Sequence, residues 1–227
     1  MRQRIDPKRY GVRARIVNAA RAFVIAGVAL ATQPAAADVA PKRLLVLGDS
    51  LVVGYGLDAR DAFPARLEAA LKGAGLAVQV IPAGVSGDTT AGGRSRLAWA
   101  LGASGDKPPD AAIVEFGAND GLRGIDPAAT EANLDAILAE LKRRAIPVLL
   151  AGMLAPPNLG REYGAEFNAI FPRLAGRHSV LFYPFFLDGV AAVPALNQDD
   201  GIHPNARGVD EIVQRILPHV KRLLGVP

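Results

Sequence analysis

The sequence predicts an α/β fold, with a parallel sheet covered on both faces by helices. Three observations carry this. Short apolar runs of β-forming residues alternate with longer helical patterns. The short runs are continuously apolar rather than alternating, as strands buried on both faces require. Nearly every run ends in a polar, glycine-rich turn. In open parallel sheets, sites form beyond the carboxyl ends of the strands, so those turns are where function is sought.

Arg43–Leu47 is the first expected strand, and Ala62–Lys72 the helix after it, closed by Gly73 and Gly75. Val78–Ile81 is a second strand, which Pro82 is expected to stop. Thr90–Leu101 reads as helix and Ala111–Phe116 as a third strand. Pro127–Arg144 carries Leu134, Ile137, Leu138 and Leu141 at helical spacing, with Pro127 suited to a first turn. Pro147–Leu150 is a fourth strand, Glu162–Ala175 a helix and Val180–Phe182 a short fifth strand. Ala206–Leu224 is a last helix, which Pro218 is expected to kink or divide. No internal repeat and no interdomain linker interrupts this order.

The 227 residues suffice for one sizeable core. A net charge of +4 arises from 26 basic and 22 acidic residues. Seven of the basic residues (Arg2, Arg4, Lys8, Arg9, Arg13, Arg15 and Arg21) precede residue 22, against Asp6 alone. The rest of the chain is slightly acidic. A nucleic-acid binder keeps its positive charge on the folded domain, so no nucleic-acid partner is expected. The basic stretch leads into the uncharged run Ala22–Thr32, then Ala35 and Ala37 at small-x-small spacing. This pattern predicts an export signal over residues 1–37, cleaved before Asp38, and a catalytic domain over 38–227. The apolar run is short for a membrane span, so no stable insertion is expected after processing. The location expected is periplasmic or secreted. The absence of cysteine excludes disulfides, thiolate nucleophiles and thiolate metal sites.

Gly48-Asp49-Ser50 follows the first strand, and Ala83–Gly93 the second. Gly117–Gly124 follows the third, Gly152–Gly160 the fourth, and Asp199–Asn205 precedes the last helix. One sheet edge therefore gathers a serine, a backbone-rich loop, an asparagine, an apolar loop and an Asp/His pair. These are parts for acyl transfer. A serine hydroxyl needs a base, and the base needs an orienting carboxylate. Asp200 and His203 are three apart with Gly201 between them, so the carboxylate can reach one ring nitrogen while the other faces Ser50. Asp199 competes for that role, but the spacing favours Asp200. The oxyanion needs preformed donors: the Gly87 N–H, the Asn119 amide and the Ser50 N–H fit.

Taken singly, each part has a plainer explanation. Gly-Asp-Ser is an ordinary turn, Asn119 an ordinary loop residue, Asp200 a helix cap, and His203 a surface histidine. Joint placement at one edge outweighs these. Asp49 is expected to support its own turn, and His178 and His219 to be structural or on the surface. Gly54–Ala59 fits G-x-G-x-x-A but starts too far beyond the strand for a dinucleotide site. GDTTAGG lacks the Lys of a phosphate loop, and no His/Asp/Glu cluster has metal-ligand spacing, so no cofactor and no metal is expected.

GDSL around Ser50, SGDTTAGG around Gly87, GAND ending in Asn119 and Asp120, and DGIHPN around His203 resemble the four sequence blocks of the SGNH (GDSL) hydrolases. The resemblance spans Arg43–Leu224. VSGDTTAGG, NDGLRG, PPNLGREY and FFLDGVA resemble the bacterial periplasmic subgroup that acts as thioesterase, lysophospholipase and arylesterase. The resemblance implies a flavodoxin-like three-layer sandwich with a five-stranded parallel sheet. It implies Ser50 as nucleophile, His203 as base, Asp200 as its orienter, and Ser50, Gly87 and Asn119 as the oxyanion hole. Ala118 stands where glycine is commoner, and Val52, Val53 and Phe63 also depart from the subgroup, which bears on acyl-chain preference. Leu154, Pro156 and Leu159 are expected to line an apolar substrate groove, with Ala155 and Phe185–Leu187 nearby. The implied partner is a small-molecule ester or lipid, and the implied state a monomer. The alternative is a carbohydrate O-acetylesterase using the same three residues.

Overall fold

The computed structural model describes residues 40–102, 105 and 107–226. The expected export segment, residues 1–37, lies outside the described residues. Five strands form one wholly parallel sheet: β1 (Lys42–Gly48), β2 (Val78–Gly84), β3 (Ala111–Glu115), β4 (Val148–Ala151) and β5 (Leu181–Tyr183), in the order β2-β1-β3-β4-β5. Leu44–Leu47 and Ala112–Val114 are fully buried in its centre, as continuously apolar strands covered on both faces must be.

The helices are α1 (Ser50–Val53), α2 (Phe63–Gly73), α3 (Thr90–Gly102), α4 (Ala118–Leu122), α5 (Pro127–Arg143), α6 (Arg161–His178) and α7 (Ala206–Leu223). The helices form two layers on either side of the sheet: α2 packs with α7 in one, and α5 packs with both α3 and α6 in the other. Each long helix buries one stripe: Leu134, Ile137, Leu138 and Leu141 on α5, and Val209, Ile212, Val213, Ile216 and Val220 on α7. Among the described residues no helix is long and apolar enough to cross a membrane.

Two prolines act differently from expectation. Pro82 does not stop the second strand, which runs on to Gly84 with Pro82 paired to Val46. β2 is an edge strand. Its Val80 N–H donates to the Glu68 carboxylate at 2.7 Å rather than to β1. Side and backbone directions repeat every two residues, so the Pro82 nitrogen also faces outward, where no ladder bond is lost. Pro218 does not divide the last helix. Ile216 and Val220, on either side of it, are both fully buried, and that packing holds the turns in line across the missing N–H.

The order of strands brings the ends of β1 and β3 side by side. α1 and α4 begin directly after them, so two short helices rise from adjacent strand tips. Neither was expected as helix, because four or five residues hold no periodicity to detect.

Candidate active site

β1 delivers the chain to Gly48, where a side chain has no room. A Cβ there would lie 2.7 Å from Glu115 Oε2 and 2.8 Å from the Glu115 carbonyl. Asp49 then caps α1, accepting the Leu51 N–H at 2.9 Å. Ser50 is the first residue of that helix. Gly54, at φ 77°, closes it by donating its N–H to the Ser50 carbonyl. The nucleophile candidate thus sits on a one-turn pedestal fixed at both ends.

The loop before α7 supplies the opposing group. His203 Nε2 lies 3.0 Å from Ser50 Oγ, and His203 Nδ1 lies 2.7 Å from Asp200 Oδ2. Asp200 Oδ1 also accepts the backbone N–H groups of Ile202 (2.9 Å) and His203 (3.0 Å). Gly201, at φ 70°, makes that tight return possible. The His203 backbone N–H, its ring and the Ile202 N–H hold the Asp200 carboxyl down to about 2. The sequence-predicted trio is therefore assembled, with Asp200 rather than Asp199 in contact with the ring.

The three expected oxyanion donors are differently placed. The Ser50 and Gly87 N–H groups have no hydrogen-bond acceptor among the described residues. Gly87 adopts φ 80°, and its carbonyl is held by Arg123 at 2.8 Å. Asn119, on α4, is already engaged. Its Nδ2 donates to Asp49 Oδ2 at 3.0 Å and to the Asp88 carbonyl at 2.9 Å. Asp49 does support its own turn, as expected, but its second oxygen holds Asn119 as well. Asp49 is fully buried, and that burial, opposed by the Leu51 and Asn119 hydrogen bonds, raises its carboxyl to about 6.

An apolar cavity of about 370 Å³ opens against Ala118 and Ile202, the chain neighbours of Asn119 and His203. Ala118, Leu154, Pro156, Phe185, Leu187 and Ile202 line it. Leu154 and Pro156 are where they were expected. Leu159 is not: it borders a separate cleft with Arg161, Glu162 and Tyr163. The 3₁₀ turn Pro157–Leu159 carries it past the cavity.

Residues that the sequence did not single out complete the surroundings. Gln198 Nε2 donates to the Tyr55 carbonyl at 2.7 Å and to the Pro204 carbonyl at 2.9 Å, tying the serine loop to the histidine loop. The Tyr55 ring lies 4.6 Å from the His203 ring. Glu115 reaches the Asp49 N–H from below at 3.4 Å. His178 pairs with Asp135 at 2.9 Å, and His219 packs on Tyr183, so both stay outside this network. Among the described residues no group of three or more His, Asp or Glu side chains could hold a metal ion.

The sequence profile of the GDSL-like lipase/acylhydrolase family matches residues 46–210. The chain belongs to that family. It is 36% identical over 207 residues to Esterase TesA of Pseudomonas aeruginosa, covering 90% of this chain and 100% of that protein. It is 42% identical over 178 residues to thioesterase 1/protease 1/lysophospholipase L1 of Escherichia coli K12, covering 78% of this chain and 81% of that one. Among solved structures, AlinE4, described as an SGNH-hydrolase family esterase, superposes with TM-score 0.69 at 49% identity, over 81% of this chain and 97% of that chain. The GDSL-family chain is an ester hydrolase on the α/β fold of the SGNH hydrolases.

Proposed function

We propose that this ester hydrolase is a serine esterase acting on aryl esters, acyl thioesters and lysophospholipids through Ser50, His203 and Asp200. The observation that carries the reading is the continuous path from Ser50 Oγ to His203 Nε2 (3.0 Å) and from His203 Nδ1 to Asp200 Oδ2 (2.7 Å). His203 takes the Ser50 proton as Oγ bonds to the carbonyl carbon. The carbonyl π electrons move to oxygen, which the Ser50 and Gly87 N–H groups stabilise, joined by the Asn119 amide as the oxyanion takes over the N–H that rests on the Asp88 carbonyl. The intermediate collapses, the bond to the leaving oxygen or sulfur breaks, and His203 gives that atom the proton. Water then repeats both steps on the acyl-enzyme and frees Ser50.

The apolar lining of the 370 Å³ cavity supports an acyl or aryl occupant over an acetylated glycan. The same reading takes residues 1–37 as an export signal and the working enzyme as a periplasmic or secreted monomer of residues 38–227.

The test is hydrolysis of p-nitrophenyl esters from acetate to palmitate by the 38–227 protein and its Ser50→Ala variant. Ser50→Ala should lower kcat by about 10⁴-fold or more, and the wild type should prefer medium or long chains. Activity confined to acetate favours the glycan deacetylase, and a Ser50→Ala variant as active as wild type removes the mechanism.

A further inference from the structure

β3 ends on an ionisable residue that the reaction above does not use. Glu115 is fully buried, and it makes no ion pair among the described residues. Its Oε1 has no hydrogen-bond partner, and its Oε2 receives only the Asp49 N–H at 3.4 Å. Arg96, which reaches the Gly48 carbonyl beside Glu115, is committed elsewhere. Arg96 pairs through Nε with Asp88 at 2.5 Å and donates to the carbonyls of Ala83 (2.9 Å) and Gly48 (2.8 Å). The ionisable group that acts on Glu115 is Asp49, and the His203 ring and the Asp120 carboxyl act in turn on Asp49. A buried carboxylate with no counter-ion, next to a second carboxylate, is costly, so Glu115 holds its proton. Burial and the Asp49 charge both push it well above the usual carboxylate range.

A buried acid kept against that cost has a geometric consequence. Glu115 packs directly against the turn that carries Asp49: a Cβ at Gly48 would lie 2.7 Å from Glu115 Oε2, the same oxygen that receives the Asp49 N–H. Asp49 Oδ2 in turn fixes the orientation of the Asn119 amide. With acceptors at 3.0 Å (Asp49) and 2.9 Å (Asp88), the nitrogen end is held in place. A reversed amide would set its oxygen against two oxygens.

We propose that Glu115 is a positioning residue for ester hydrolysis: as a neutral acceptor under the nucleophile turn it seats Asp49, and Asp49 seats the donating end of Asn119. This rests on the serine-esterase reading above. Because it concerns a donor to charge that develops only in the transition state, its loss should appear in kcat rather than KM.

The test uses the full chain with Glu115→Gln and Glu115→Leu, and kcat is expressed per site titrated with a serine-directed phosphonate. Glu115→Leu fills the space but leaves the Asp49 N–H unpartnered. It should lower kcat by about 10- to 100-fold, with KM within about twofold of wild type. Glu115→Gln retains a neutral acceptor and should recover kcat to within about threefold of wild type. In an Asp49→Ala background, Glu115→Leu should cost nothing further, because its effect runs through Asp49.

Three results overturn the proposal: unchanged kcat in Glu115→Leu, a fall in Glu115→Gln of tenfold or more, or costs that add independently in the double variant. If Glu115→Leu yields no titratable sites because it does not fold, Glu115→Gln alone still decides. Should the wild-type serine itself fail to take up the phosphonate, the serine-esterase reading falls instead, which keeps the two failures apart.

Discussion

Two aspartates flank the Ser50–His203 pair, and their surroundings are opposite. Asp49 is fully buried, one residue before the serine, and is pushed up to about 6 by loss of solvent. Asp200 has a side chain 38% exposed and is held down to about 2, first by the His203 backbone N–H and then by its ring. The open side keeps a charge at little cost, because water and two backbone N–H groups share it, and a charged partner is what an imidazolium needs. The buried side pays for its carboxyl in desolvation and gains a fixed direction for Asn119. One residue type thus serves charge on one side of the serine and position on the other.

The largest effect that sharpens this contrast is expected at Asp200. Asp200→Asn places an amide against Nδ1 and favours the ring tautomer whose Nε2 carries hydrogen, so the ring can no longer accept the serine proton. kcat/KM for a p-nitrophenyl ester should fall by about 10²- to 10⁴-fold, with little change in thermal midpoint because the site is exposed. An Asp200→Asn enzyme with wild-type turnover would show that the 2.7 Å contact is incidental.

A smaller effect separates the two sides by pH. Asp49 has a raised folded pKa, so between about pH 4 and 6 the native state holds a proton that the unfolded chain has released. Its contribution to stability is therefore present at the acid end and lost as pH rises through about 6. Asp200 works in the reverse sense: its contribution is present above about pH 4 and is lost as pH falls towards about 2. Asp49→Asn loses one hydrogen bond at every pH, but it should gain on the wild type by up to about 1.4 kcal/mol per pH unit between 4 and 6. Calorimetric unfolding at half-unit steps reads this directly. A pH-independent difference between the two proteins would mean that Asp49 ionises as an ordinary surface carboxylate.

The same contrast explains what could be seen in the sequence. The strand and helix order was legible because buried parallel strands are continuously apolar. Ser50, Asp200 and His203 were legible because each lies in a polar turn after a strand or before a helix. Glu115 carried no signal: it ends an apolar strand, and its burial depends on β1 and β3 being neighbours in the sheet. The engagement of Asn119 was hidden for a related reason, since its partners Asp49 and Asp88 come from two other loops. Leu159 was misplaced by its apolar character alone, which does not reveal that a 3₁₀ turn directs it away from the cavity. Pro82 misled because a proline ends a strand only where its nitrogen faces a neighbour.

The smallest expected effect concerns the tie between the two sides. Gln198 bridges them, donating to the Tyr55 carbonyl on the serine loop and the Pro204 carbonyl beyond His203. Gln198→Ala removes both side-chain bonds but keeps the backbone bond from the Gln198 N–H to the His203 carbonyl at 2.8 Å. The Tyr55 contact is exposed, so water can replace it, and the stability cost should stay near 1 kcal/mol. Turnover should respond more than stability does. The serine side is anchored in the sheet, whereas the histidine side depends on its loop, so freeing the loop widens the spread of Nε2–Oγ distances. A fall in kcat of about three- to tenfold with unchanged KM is expected. Equal loss in kcat and in resistance to unfolding would show instead that Gln198 supports the fold as a whole, and that the exposed side of the site is as firmly held as the buried one.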